Sequence, residues 1–327
     1  MSTEPERGLD FGRTRIVKGR GLALAERLRT ARRVPQAVVK VASFAQGYRS
    51  VRDLMEYISK EGELPLEKES GEWLTGIAQQ RALAEDWTKT FDVRSNSRDV
   101  VHLVFSMPWG SDPKALRSAV RTVMTRHFAG HEAVWAIHED RKHPHAHVVM
   151  KMRGRGQDKK IDFRKKDLHR LREVFAEAAR EQGVELAASS RAARGVGRKA
   201  QGRAAYQLRQ KGIVPKAEQQ TARETLNDLE TGTSQDRPWE IAMVRRNIAE
   251  RQAYRQDAER LRILASQQEK HTRDALLRAA TDLEQFAKTM PAPKTLRQMM
   301  REQLQRSSPP NLSGPATEHE NQSGLDR

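Results

Sequence analysis

The sequence predicts an α+β fold: one compact domain mixing strands and helices, followed by a mainly helical C-terminal extension. Three observations carry this expectation. Residues 131–138 and 145–151 both alternate at period two around a charged stretch, the pattern of two antiparallel strands and their loop. Amphipathic helical spacing recurs through the first 190 residues. Residues 236–288 are helix-forming and dense in charge. With 327 residues, 37% hydrophobic and 31% charged, the chain is too polar for one core along its whole length.

Taken in order, residues 1–34 hold glycines and many arginines with little apolar periodicity, apart from a short helical patch at Leu22 to Leu28, and read as a flexible basic arm. The folded domain is expected over 35–190. It opens with a strand Ala37–Phe44, in which Val39 and Val41 share one face and Val38, Ala42 and Phe44 the other. A turn at Gly47 leads to a helix from about Ser50, a capping residue type, with Val51, Leu54, Met55 and Ile58 on its apolar stripe and Gly62 at its end. Tyr57 lies roughly 110° from the centre of that stripe, so its ring sits on the flank of the helix.

A second helix is expected at 76–91, and a buried strand at Asp99–Ser106. Ser111-Asp112-Pro113 starts a helix that runs to Phe128, because a capping side chain precedes a proline suited to the first turn. After the hairpin, a helix from Lys166 to Gln182 ends at Gly183, and strand-like Val184–Ala188 closes the domain. Residues 191–235 read as a basic linker: from Ala187 to Gly212 there are seven Lys and Arg and no acid, which suits a strand-tracking arm or a solvated tether. The helical region spans 236–305, with partial 4-3-4 spacing at Tyr254, Ala258, Leu261 and Ala265 and again at Leu276, Ala280, Leu283 and Ala287. Residues 306–327, rich in Ser, Pro and Gly, read as a disordered tail.

A formal charge of +17 and a pI near 10.3 point to a polyanionic partner, since clustered Lys and Arg gain affinity by releasing counterions from phosphates. Nucleic acid is the first candidate. A membrane surface is the second, but the sequence has no transmembrane-length apolar run and no signal peptide, so no membrane insertion is expected. With no cysteine, disulfides and thiolate metal sites are excluded, and a metal must be held by His and carboxylate.

The hairpin carries the chemistry. Side chains two apart on a strand share a face, so His145 and His147 point the same way, and His138 ends the facing strand. Neighbouring strands lie about 5 Å apart and alternate residues about 7 Å apart, so the three imidazoles can converge on one first-row divalent ion. The bland alternative is that they are surface donors or satisfied strand histidines. Asp140 can accept the distal N–H of a ligand histidine, or bond its own turn. Arg141 to Arg172 holds 12 Lys and Arg against three Asp, beside the histidines. Within this run Arg141, Lys142, Lys151, Arg153, Arg155, Lys159 and Lys160 are the expected DNA-contacting residues.

Glu56-Tyr57-Ile58-Ser59-Lys60-Glu61-Gly62, together with His138-Glu139-Asp140-Arg141-Lys142-His143-Pro144-His145-Ala146-His147-Val148-Val149, resembles the conjugative relaxases of the plasmid-mobilisation and T-DNA border endonuclease type, within the His-hydrophobic-His (HUH) nuclease superfamily. Ser189-Ser190-Arg191-Ala192-Ala193-Arg194-Gly195 resembles the segment after their nuclease domain, so the likeness spans about residues 36–197. It implies an antiparallel sheet flanked by helices, Tyr57 as nucleophile, His138, His145 and His147 as ligands of a divalent metal (Mg2+ or Mn2+), and Asp140 as an orienting or activating residue. The family commonly has Asn shortly after the last His, where this chain has Lys151.

The implied activity is nicking and strand transfer on single-stranded DNA at an origin of transfer through a 5′-phosphotyrosyl intermediate. The implied partners are an accessory relaxosome protein and a type IV coupling protein. The implied location is the bacterial cytoplasm, with passage into a recipient cell alongside DNA. A rolling-circle replication initiator and a non-enzymatic nucleic-acid binder are the alternative readings.

Overall fold

The computed structural model describes residues 20–91, 98–156, 160–196, 202–232 and 237–307. The chain divides into two compact units, Met1–Arg194 with Glu250–Met290, and Gly195–Ala249 with Pro291–Arg327. The helical region expected at 236–305 therefore contributes to both.

The first unit is built on a six-stranded antiparallel sheet. Its strands are β1 (Val38–Ala45), β2 (Leu66–Lys68), β3 (Trp73–Leu74), β4 (Val100–Ser106), β5 (Ala133–His138) and β6 (His145–Lys151), in the order β1-β4-β6-β5-β2-β3. Helices α2 (Gly47–Ile58) and α3 (Ile77–Thr88) lie in sequence between the first strands, and α4 (Pro113–His127) and α5 (Lys165–Glu181) around the hairpin. One face of the sheet buries Val101, Leu103, Phe105, Ala146, Val148 and Met150 under α4 and α5, with the Phe105 and Phe175 rings 5.1 Å apart. The other buries Val100, Val134, Ala136 and Val149 under α2 and α3, through Val51, Met55, Ile58, Ala84 and Trp87. Apolar burial on both faces explains why β4, β5 and β6 are almost wholly buried.

Several boundaries differ from the sequence expectation, each for a physical reason. The first helix of the sheet domain starts after Gln46, ahead of Ser50, with no side-chain cap, and ends at Ile58, four residues before Gly62, because Lys60 (φ 50°) and Glu61 (φ 57°) already adopt left-handed backbone. Ser59 fastens that turn: its Oγ accepts from Gly62 N at 3.0 Å and lies 2.8 Å from Gln80 Oε1. In β1 the register shifts between Val41 and Ser43, so Ser43 pairs with His102 and Phe44 with Val101. The extra residue moves Phe44 off the face that it would share with Val38 under strict alternation. Val184–Ala188 forms no strand among the described residues; its strand-like pairing is an isolated parallel bridge between Gln36 and Ala187. The short β2 and β3 carry too little periodicity to have been foreseen.

Within the expected flexible arm, residues Arg20–Ala31 form helix α1. Leu24, Leu28 and Ala31 pack against Tyr254, Ala258, Leu261, Ala280, Leu283 and Ala287. These residues come from α8 (Pro238–Ser266) and α9 (Lys270–Thr289), the two helices of the 4-3-4 spacing. Arg27 pairs with Asp257 at 2.6 Å and Arg32 with Asp282 at 2.8 Å. The local composition is that of an arm, whereas the partners of α1 lie some 230 residues along the chain. The small residues that weaken a two-helix seam leave room for this third helix. Residues 1–19 of the arm lie outside the described residues.

The second unit holds α6 (Arg203–Gln210), α7 (Lys216–Thr231), the first turns of α8 and α10 (Leu296–Ser307). Arg297 pairs with Asp228 and with Glu240, and Thr295 Oγ1 donates to Glu240 Oε1 at 2.7 Å. The stretch expected as a basic linker thus contains two helices, the second of them ended by left-handed Gly232. Helix α10 takes in the first two residues of the expected tail, whose residues 308–327 lie outside the described residues, as do 197–201 and 233–235 of the linker and residue 236. No described helix is long and apolar enough to cross a membrane.

Candidate metal centre

Antiparallel pairing of β5 and β6 sets His138 directly opposite His145, and Ala136 opposite His147, so all three imidazoles project from one face at the end of the hairpin. Their ring centroids lie 5.2 Å (His138–His145), 4.4 Å (His138–His147) and 5.0 Å (His145–His147) apart. One nitrogen from each ring falls within 4.8 Å of the others, the only such His, Asp or Glu group among the described residues.

The state of these rings suits a metal. Burial, reinforced by the neighbouring His138, His102 and His145, holds His147 down to about 3, and burial also lowers His145. Both are therefore neutral at neutral pH, the form that ligates. A carbonyl only accepts, so His138 Nε2, 2.7 Å from Ile58 O, and His145 Nδ1, 3.1 Å from His143 O, carry the protons in this arrangement. In its neutral, ligating form each of these two rings has a lone pair on its other nitrogen. The donor set fits a divalent ion with open positions for substrate.

Tyr57 stands in the last turn of α2, 60% exposed, with its ring 5.7 Å from that of His147 and 6.2 Å from that of His102, both edge-on. Of the other tyrosines, Tyr48 lies in the first turn of α2, Tyr206 belongs to the second unit, and Tyr254 is buried with its hydroxyl donating to Ala193 O at 2.9 Å.

Of the two roles open to Asp140, bonding a ligand histidine or its own turn, the structure shows a backbone hydrogen bond in its own turn and adds an ion pair with Lys60 at 3.3 Å. The hydrogen bond to Lys60, ahead of any Coulombic effect of His138, pulls its pKa below the usual carboxylate value. The residues expected at DNA also divide. Arg141 and Lys142 are exposed on the loop between β5 and β6. Lys151 is buried and donates to Glu132 Oε2 at 2.6 Å and Thr90 Oγ1 at 2.8 Å, which removes it from a DNA surface. Lys160 pairs with Asp99 at 3.0 Å, and Arg155 with Glu69 at 2.9 Å while remaining largely exposed. Arg153 is half-buried and bridges Lys160 through its backbone, and Lys159 lies outside the described residues. A charge run counts cations but does not reveal carboxylates brought in from distant segments.

Sequence reasoning missed His102, on β4. It is 4% exposed, and its Nε2 lies 2.7 Å from His147 Nδ1. The signal was present: a polar ring within an apolar strand needs a buried partner.

Residues 57–184 match the family described as relaxase, MobA/VirD2-like, nuclease domain. The chain is 31% identical over 163 residues to the T-DNA border endonuclease VirD2 of Rhizobium radiobacter, an alignment covering 43% of this chain and 38% of that relative. Identity is also 31% to the proteins of the same name from Rhizobium rhizogenes and Agrobacterium fabrum, with 37% and 36% of their lengths covered. The chain thus spans well under half the length of these relatives.

Proposed function

We propose that this chain, whose residues 57–184 match a MobA/VirD2-like relaxase nuclease domain, nicks DNA at an origin of transfer through a covalent tyrosyl intermediate. The observation that carries the reading is the exposed Tyr57 ring against His147, at the edge of the three-histidine group. A phenol so placed is open to a strand of single-stranded DNA and adjacent to the only candidate metal group among the described residues.

In this mechanism the Tyr57 hydroxyl gives its proton to solvent as its oxygen attacks the scissile phosphorus. An O–P bond forms to Tyr57, the P–O3′ bond breaks, and the leaving 3′ oxygen takes up a proton. The products are a 5′-phosphotyrosyl strand and a free 3′-hydroxyl, and attack by a 3′-hydroxyl reverses the step. His138, His145 and His147 would hold the divalent ion, Mg2+ or Mn2+, which when bound supplies Lewis-acid polarisation of a phosphate oxygen. Asp140 and Lys60 join the turn after α2 to the hairpin loop. Arg141 and Lys142 contact phosphates beside the site. Initiation of plasmid mobilisation, recruitment by a coupling protein with an accessory protein at the origin, and passage into a recipient belong to the same reading through its family likeness.

The test is adduct formation on labelled single-stranded oligonucleotides with Mn2+. The parent chain is expected to form an adduct that mass spectrometry maps to Tyr57. Tyr57→Phe should bind oligonucleotide and Mn2+ yet form none, and His147→Ala should lose Mn2+ affinity with Tyr57 intact. An adduct formed by Tyr57→Phe would overturn the assignment of the nucleophile.

A further inference from the structure

Four histidines, not three, meet at this site. His102 projects from β4 onto the same sheet face as the hairpin histidines, since its neighbour Val104 pairs directly with His147. The two rings stack with centroids 5.0 Å apart. On its far side His102 Nδ1 lies 3.5 Å from Ser43 Oγ, and Ser43 reaches this face because the register shift in β1 sets it opposite His102. A line of polar groups therefore runs across three strands, from Ser43 through His102 to His147.

We infer that His102 is a positioning residue that selects the metal-ligating tautomer of His147. The inference rests on the three-histidine reading of the metal centre. The proton shared by His102 Nε2 and His147 Nδ1 has two possible owners. If His102 Nε2 carries it, His147 Nδ1 accepts, and the neutral His147 must hold its own proton on Nε2, with no lone pair left for an ion. If His147 Nδ1 carries it, His147 Nε2 presents a lone pair, and the His102 proton moves to Nδ1, toward Ser43 Oγ. Only the second arrangement ligates through Nε2. His102 accepts the distal N–H of a ligand histidine, a task commonly performed by a carboxylate or a backbone carbonyl. A neutral acceptor suits this place: the group is 4% exposed, and an unpaired carboxylate there would be strongly disfavoured.

The inference is tested on the full chain by calorimetric titration with Mn2+ and by nitrogen-15 histidine spectra of the Zn2+-loaded protein, Zn2+ serving as a diamagnetic probe. His102→Leu, which keeps apolar bulk in a buried strand, is expected to weaken Mn2+ binding roughly 10–100-fold. His102→Gln, whose amide oxygen reaches about as far as Nε2, should recover most of that loss, a rescue that packing alone would not give. The spectra should show both His147 and His102 protonated on Nδ1; they need no variant, so they decide the matter even if His102→Leu does not fold. A His102 protonated on Nε2 in the loaded protein overturns the inference. So does a folded His102→Leu chain that binds Mn2+ like the parent while His147→Ala does not. If His147→Ala itself binds Mn2+ like the parent, the three-histidine centre fails instead.

Discussion

The Lys60 ammonium lies 3.3 Å from the Asp140 carboxylate, joining the turn that follows Tyr57 to the loop between the two histidine-bearing strands. Because both side chains are partly exposed, the pair adds little to folding, and its effect is positional. Lys60→Glu is expected to slow adduct formation while leaving the melting temperature unchanged, and adding Asp140→Lys should restore much of the rate by re-forming the pair in reverse. A double variant no faster than the single one would show that the two residues act separately.

Lys151 and Lys142 should separate stability from DNA binding. Lys151→Met removes the 2.6 Å partner of a largely buried Glu132, leaving it Arg155 at 3.7 Å, and is expected to cost on the order of 2 kcal/mol in urea unfolding. Lys142→Ala, on the exposed loop, should leave stability unchanged, lower oligonucleotide affinity and flatten its salt dependence. A Lys151→Met chain as stable as the parent would contradict the buried-pair account.

Gly62 is required by the turn after α2. Its φ is +90°, and a Cβ there would meet Ile77 Cγ1 at 2.7 Å and Ile77 N at 3.2 Å. Gly62→Ala is therefore expected to destabilise by roughly 2 kcal/mol and, by shifting the turn, to reduce adduct formation by Tyr57. Unchanged thermal unfolding would refute this.

Acid should weaken the fold in part through His131. Burial, opposed in part by the hydrogen bond to Lys151 O, lowers its pKa below 6.5. The unfolded chain then binds the proton more readily than the folded one, so this contribution is complete above about pH 6.5 and is lost as pH falls from there toward the folded value. His131→Gln should show a shallower decline of urea midpoint between about pH 7 and 5 than the parent. Parallel declines would remove His131 from the account.

Shortening the chain at Gln201 tests the role of α8 and α9. Every proposed catalytic residue precedes that point, yet Leu24 and Leu28 of α1 would lose the apolar partners around Tyr254, Leu261 and Leu283. The shortened chain is expected to retain adduct formation at low temperature and to unfold well below the full chain. Equal melting temperatures would show that α1 needs no support from residues 250–290.

Where periodicity is local, the sequence was a good guide. The hairpin, the start of α4 and the stripe of α2 are written in neighbouring residues, and Asp112 caps Lys114 N at 2.8 Å as its position before Pro113 implies. The convergence of His138, His145 and His147 was likewise legible, because alternation within one hairpin fixes which side chains share a face. Helix α1 was not, since its apolar contacts are long-range and its own composition is that of a solvated arm.

The sequence by itself determined the α+β class, the three hairpin histidines as a group and Tyr57 as a flank residue of its helix, because each follows from spacing along a single element. Tertiary structure decided how the charges were used: Lys151 went to Glu132, Lys160 to Asp99 and Asp140 to Lys60. It also brought His102 against His147, through strand pairing between residues 45 positions apart. Spacing sets the direction of a side chain within one element, whereas its partner is set by whichever distant strand or loop packs beside it. Buried polar groups must be paired, so those packing choices separate the cations left at the surface from those consumed inside the fold.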